Sequence, residues 1–390
     1  MELLNISSLR TSVTRFAARI GRALALVVAS VSPLQAQLPP FLELRIPKPP
    51  TVATAEHGSF LAYELHVTNF APQTITLRRV EVATAPGERR VLLALTDSTL
   101  LRAVTRPGTT LPPAERLKMA GGTRAVVFLW VPVDRSAVPQ SLGQRVIIER
   151  GSGDSLRTEE LDGVSVSVAP EAATIGPPLR GGPWLTGNGP APETGHRRGL
   201  IPIGGTPSIA QRFAIDYVKV GDDHQTFSGD RLKNTSYYAY GTDALVVADG
   251  RVVAVKDGIP ENIPGPASRA VPITLETVGG NHVIVDIGGG RYAFYAHLQP
   301  GSLRVRLGDR VRKGQVVGLV GNSGNSTEPH LHFHISDGAS PLGSEGLPYR
   351  QESFEIVGRC RTFNQGCERA AGVVRRGEQP LANVLIQFPP

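Results

Sequence analysis

Pro329-His330-Leu331-His332-Phe333-His334-Ile335 alternates imidazoles with large apolar side chains. On a β-strand successive side chains point to opposite faces, so His330, His332 and His334 share one face while Leu331, Phe333 and Ile335 share the other. The stretch reads as a strand with an apolar face turned to a core and a row of imidazoles opposite. Neutral imidazole is a preferred zinc donor, and rings at i and i+2 can meet or flank one ion. Without a metal, the same row would be a polar strand face whose rings repel one another when protonated.

Two further stretches carry the same alternation. In Gln211-Arg212-Phe213-Ala214-Ile215-Asp216-Tyr217 it assigns Phe213, Ile215 and Tyr217 to a buried face and Arg212, Ala214 and Asp216 to the other, where Asp216 is a candidate carboxylate ligand. In Arg291-Tyr292-Ala293-Phe294-Tyr295-Ala296-His297-Leu298 it ends on His297 at a sheet rim, a usual place for a catalytic group. Val252 to Val255, His282 to Ile287 and Gln315 to Val320 read as further strands between glycine-rich turns, and no 3.6-residue period intervenes. Residues 211–354 are therefore expected to form a compact all-β domain.

Residues 37–168 show short alternating runs such as Leu61-Ala62-Tyr63-Glu64-Leu65-His66-Val67, separated by Pro, Gly and Asn turns. They predict half-buried strands in an antiparallel, immunoglobulin-like sandwich without a reactive constellation, since His57 and His66 stand alone. Residues 169–210 crowd Gly and Pro around Trp184 and His196-Arg197-Arg198, the composition of a linker or of a loop laid over another domain. Residues 355–390 add Cys360, Cys367 and a last apolar run, Asn383 to Phe388.

The chain has 390 residues, room for two domains with real cores, and a net charge of +7 spread too evenly to argue for nucleic acid. Arg10, Arg15, Arg19 and Arg22 precede an uncharged, mostly apolar run from Ala23 to Leu34. That is the pattern of a secretory signal, residues 1–36, cut near Ala36 and too short for a membrane span. The expected compartment is periplasmic or extracellular, with no membrane span left after cleavage, and there Cys360 and Cys367 can pair as a local staple. Gly321-Asn322-Ser323-Gly324-Asn325 lacks the last glycine of a nucleophile elbow, and no Lys-Ser/Thr follows as a phosphate loop requires.

Taken in order, Asp216 on its strand, Tyr295-Ala296-His297-Leu298, Gly308-Asp309-Arg310-Val311-Arg312-Lys313-Gly314-Gln315, Gly321-Asn322-Ser323-Gly324 and Pro329-His330-Leu331-His332-Phe333 resemble the lysostaphin/LytM zinc endopeptidases, metallopeptidase family twenty-three. The resemblance covers residues 211–350. It implies a β-roll core with a groove, one zinc ion, and cleavage of peptide bonds in peptidoglycan cross-bridges or stem peptides. It also implies Asp216 and His332 as zinc ligands and His297 and His330 as catalytic histidines. One position departs: the family's first ligand is a histidine four residues before the aspartate, and Arg212 stands there. A guanidinium stays protonated and has no lone pair to give. His334, His196 and His224 are the candidate replacements, with His196 the first choice. Arg212 also keeps open a catalytically silent relative that binds peptidoglycan or activates a partner wall hydrolase. A secreted protease with no connection to the wall is a third reading.

Overall fold

Backbone amides and carbonyls must be paired wherever they are buried, and among the described residues the ladders between named strands are antiparallel save Ala173–Ile175 with Tyr349–Gln351. The computed structural model describes residues 41–390 except positions 86, 88, 164, 170, 171, 268 and 364. The expected signal at 1–36 lies outside the described residues.

The N-terminal part is a two-sheet sandwich. One sheet holds Leu42–Arg45, Val52–Ala55, Gly58–Asn69, Arg124–Val133 and Val104–Thr105; the other is built on Ile75–Ala85, Val91–Thr96, Ser141–Arg150 and Arg157–Asp162. Leu61, Tyr63, Leu65 and Val67 enter the core between the sheets, as period-two alternation requires. The opposite face of the same strand is buried too. Phe60 and Ala62 pack with Phe213, and Val126 and Phe128 of the neighbouring strand pack on Ile209. The strand is therefore closed on both faces, not half-buried, because the segment leading to Asp216 covers its outer side.

The C-terminal part is built on an eleven-stranded sheet. Its central ladder runs Asn281–Asp286, Tyr292–Leu298, Leu331–Ser336, Ile215–Lys219, Trp184–Gly187, Val384–Gln387, Phe354–Thr362, all antiparallel. Ile215, Tyr217, Tyr295, Leu331, Phe333 and Ile335 fill the core on one face. Residues 169–210 are more than a tether: Trp184–Gly187 is a strand of this sheet, and the Trp184 ring lies in the same core. The last apolar run enters the sheet beside it as Val384–Gln387. Cys360 and Cys367 face each other across the terminal hairpin and are joined by a disulfide.

The Asp216 strand begins at Ile215, and the residues before it turn. Arg212 N–H donates to the Ile209 carbonyl and Ala214 N–H to that of Gln211. Alternation thus fails just before the strand, so Arg212 does not share a strand face with Asp216 and Phe213 packs against the sandwich.

Candidate metal centre

Three adjacent strands bring the site together. Asp216 is the register partner of His332, and His332 in turn is the partner of Ala296, so a carboxylate and an imidazole meet in one row beside His297. The ladder between Asn281–Asp286 and Tyr292–Leu298 shifts here: Asn281 pairs with Leu298 and Val283 with Tyr295. Ala296 and His297 therefore oppose His282 alone, a bulge that re-aims a side chain. His297 has φ +63°, an uncommon left-handed conformation for a residue with a β-carbon.

His196 arrives from outside the sheet, on the short helix Gly195–Arg198 of the Gly/Pro-rich segment. His332 Nδ1 lies 2.9 Å from Asp216 Oδ1, and His196 Nε2 lies 3.5 Å from Asp216 Oδ2. Donor atoms of His196, Asp216 and His332 all fall within 4.8 Å of one another. Each remaining edge is held. Asn188 Nδ2 donates to Asp216 Oδ2 at 2.9 Å, and His332 Nε2 is hydrogen-bonded to His334 Nδ1 at 3.0 Å.

His297 and His330 stand beside this group, their ring centroids 4.8 Å apart. His297 Nδ1 donates to the Ser323 carbonyl and His330 Nδ1 to the Glu328 carbonyl, both at 2.8 Å. These bonds select the tautomer and leave each Nε2 for chemistry. His330 Nε2 is 3.5 Å from Asp216 Oδ1. A pocket of about 310 Å³ opens over His196, Asp216, His297, His330 and His332.

The electrostatics divide these groups. Burial penalises the charge of Asp216, but His196, His330 and His332 outweigh it and hold the carboxyl well below its ordinary range. Burial pushes His196 down to about 4. Burial, then His330 and His332, hold His297 well below the usual imidazole value, so it is neutral near pH 7. Burial also opposes the charge of His330, but the Asp216 carboxylate and the Glu328 carbonyl raise it.

The donor set fits a divalent ion of zinc type: two imidazoles and a carboxylate, three ligands that leave a fourth position open. The ion pairs of buried Asp216 among the described residues are with histidines alone, and burying an anion without a full counter-charge is costly. The partners behind Asp216 and His332 are of the kind that orient metal ligands.

All five residues singled out from the sequence, His196, Asp216, His297, His330 and His332, line this one pocket. The two other candidate ligands do not. His334 stands behind His332 as its hydrogen-bond partner, and His224 sits in a turn outside the pocket lining. Arg212 reaches away to Glu64, Glu345 and the Gly346 carbonyl. Sequence reasoning missed Asn188 and the backbone carbonyls of Ser323 and Glu328. Asn188 had a faint signal, a polar residue inside the turn pattern Gly187-Asn188-Gly189-Pro190; the carbonyls had none.

Residues 236–343 match the family model described as Peptidase family M23. That segment contains His297, His330 and His332 and begins after Asp216 and His196. Glycyl-glycine endopeptidase ALE-1 of Staphylococcus capitis is 45% identical over 96 residues, which is 24% of this chain and 23% of that relative. Lysostaphin of Staphylococcus simulans is 41% identical over 74 residues, 18% of this chain and 15% of its own. Peptidoglycan DD-endopeptidase ShyA of Vibrio cholerae is 35% identical over 65 residues, 17% and 15% respectively. The chain thus spans less than a quarter of the length of these relatives. Among solved structures, the catalytic domain of the prophage-encoded M23 protein EnpA from Enterococcus faecalis aligns at 23% identity and a TM-score of 0.26, covering 45% of this chain and 93% of that one. The family match is thus to one segment, residues 236–343, and among the described residues no helix is long and apolar enough to cross a membrane.

Proposed function

We propose that the protein is an exported zinc metalloendopeptidase that hydrolyses peptide bonds in peptidoglycan cross-bridges or stem peptides. The observation that carries this reading is the grouping of His196, Asp216 and His332 as a three-donor set beside the His297–His330 pair in one pocket. Zinc bound by those three donors would lower the pKa of a water molecule towards about 7 and polarise a peptide carbonyl.

The chain's own groups divide the remaining work. His297, neutral and with Nδ1 engaged by the Ser323 carbonyl, accepts at Nε2 the proton of the attacking water. His330, biased towards its protonated form by Asp216, donates from Nε2 to the oxyanion that develops on the scissile carbonyl. The C–N bond then breaks as the proton held by His297 passes to the leaving amine. Asn188 fixes the carboxylate and His334 fixes the ring of His332.

The wall substrate is supported by the relatives' names, which include a glycyl-glycine endopeptidase and a peptidoglycan endopeptidase. Export is supported by the N-terminal sequence pattern. The silent-relative reading draws its support from Arg212; the nearness of His196 to Asp216 and His332 favours the enzyme reading instead.

Incubation of the purified chain with isolated peptidoglycan tests the proposal. New peptide amino termini should accumulate, stop on chelation and resume when zinc is returned. Zinc-loaded protein that binds the wall yet releases no amine would replace the enzyme by a binding module.

A further inference from the structure

The donor His196 is not anchored in the peptidase sheet. It stands on a four-residue helix, and the next residue, Arg197, points away from the pocket into the sandwich. There its guanidinium bonds Glu64 Oε1 through Nη1, and through Nη2 the carbonyls of Tyr63 at 3.0 Å and Leu129 at 3.2 Å. Arg198 continues the clamp: Nη2 donates to the Arg102 carbonyl at 2.8 Å, and the guanidinium lies 4.6 Å from the Phe128 ring centroid. The second ligand, Asp216, is tethered to the same sandwich carboxylate. Arg212, four residues before it, donates to Glu64 Oε2 at 2.7 Å and Oε1 at 3.2 Å, and to Glu345 Oε2 at 2.5 Å.

Glu64, Arg197 and Arg212 are 2%, 1% and 3% exposed. Two arginines and two carboxylates balance in charge, and each guanidinium is satisfied by carbonyls or carboxylates. Such a cluster is rigid when complete and strongly destabilised when one member is removed, because the others are left buried and unpaired. Burial opposes the charge of Glu64, yet Arg197 and Arg212 pull its pKa down to about 2, so the carboxylate is ionised at any working pH.

We propose that Glu64 of the sandwich is a positioning residue for the metal centre: by bridging Arg197 and Arg212 it sets the separation of His196 from Asp216, so that the sandwich completes the zinc site. On this account Arg212 is the residue that ties Asp216 to the same sandwich carboxylate that holds the segment carrying His196. The proposal rests on the zinc reading above and names a part of it that the peptidase sheet alone does not supply.

The test is zinc affinity of the full chain, measured by competition with a chromophoric chelator, for wild type, Glu64→Gln, Arg197→Met and Arg359→Gln. The last variant cuts a different sandwich-to-peptidase ion pair, Arg359 with Glu56, outside the pocket lining. Glu64→Gln and Arg197→Met should bind zinc at least about tenfold more weakly, as loss of a supporting contact does at metal sites. The visible spectrum of their cobalt(II) forms should change, and Arg359→Gln should match wild type in both. Circular dichroism of the metal-free proteins reports folding, and Arg197→Met keeps the test valid should Glu64→Gln fail to fold. Wild-type affinity in both site variants overturns the proposal, and so does an equal loss in Arg359→Gln, which would mean general loosening. A wild-type chain that takes up no zinc would overturn the enzyme reading itself, and this one with it.

Discussion

At His297 the backbone and the chemistry are the same problem. A regular strand would send its side chain to the face opposite that of Ala296; the bulge opposite His282 and the φ of +63° bring the ring into the pocket instead. The conformation costs of order 1 kcal/mol and persists because the surroundings impose it, here through the Nδ1 bond to the Ser323 carbonyl. His297 is not among the three grouped donors, so its removal should separate binding from catalysis. His297→Ala is expected to keep its zinc, read by metal analysis, while the rate of wall-peptide cleavage falls by about 10²- to 10⁴-fold, the range for a lost general base. Joint loss of zinc and cleavage would make His297 a ligand and reverse the assigned roles. Asp216, His330 and His332 were legible as candidates because strand periodicity put them on definite faces, and His297 because its run ends at a sheet rim. The conformation of His297 was not, since nothing local in Tyr295-Ala296-His297-Leu298 marks a bulge.

At the scale of elements, the turn that supplies the Ser323 carbonyl is seated by two glycines in contact. Gly280 has φ +59°, and a β-carbon there would come within 2.3 Å of Ser323 Oγ; Gly324 has φ +74°, and a β-carbon there would come within 2.3 Å of the Gly280 nitrogen. Both positions need the left-handed region and the close approach at once. Gly324→Ala should therefore lower stability to denaturant by about 1–3 kcal/mol. It should also slow cleavage more than it weakens zinc binding, because the displaced carbonyl orients His297 and no ligand. Unchanged unfolding and rate would show that the turn adapts and that the Ser323 carbonyl is not needed where it stands. The glycine pattern of Gly321-Asn322-Ser323-Gly324 was readable as a groove-shaping turn. Its partner Gly280, more than forty residues earlier, was not. The same limit explains Arg212: alternation was carried back along Gln211 to Tyr217, but a turn breaks it before Ile215, and the Glu64 carboxylate that holds the Arg212 side chain is 148 residues distant.

Across the whole molecule, sandwich and peptidase sheet share buried surface and buried charge. The Leu61 to Val67 alternation was sufficient to foresee the sandwich core, and insufficient to foresee that Glu64 on the other face is closed over by Arg197 and Arg212. The Gly/Pro-rich segment read as a linker or a covering loop because its partners are remote. It supplies Trp184 to the core, Asn188 to the carboxylate and His196 to the pocket. The central claim is that this segment completes a zinc site from which the expected first ligand is missing. It is tested most directly by zinc stoichiometry of the purified chain beside His196→Ala. The account predicts one zinc per wild-type chain and well under one in the variant, with circular dichroism unchanged; full zinc occupancy in His196→Ala would contradict it.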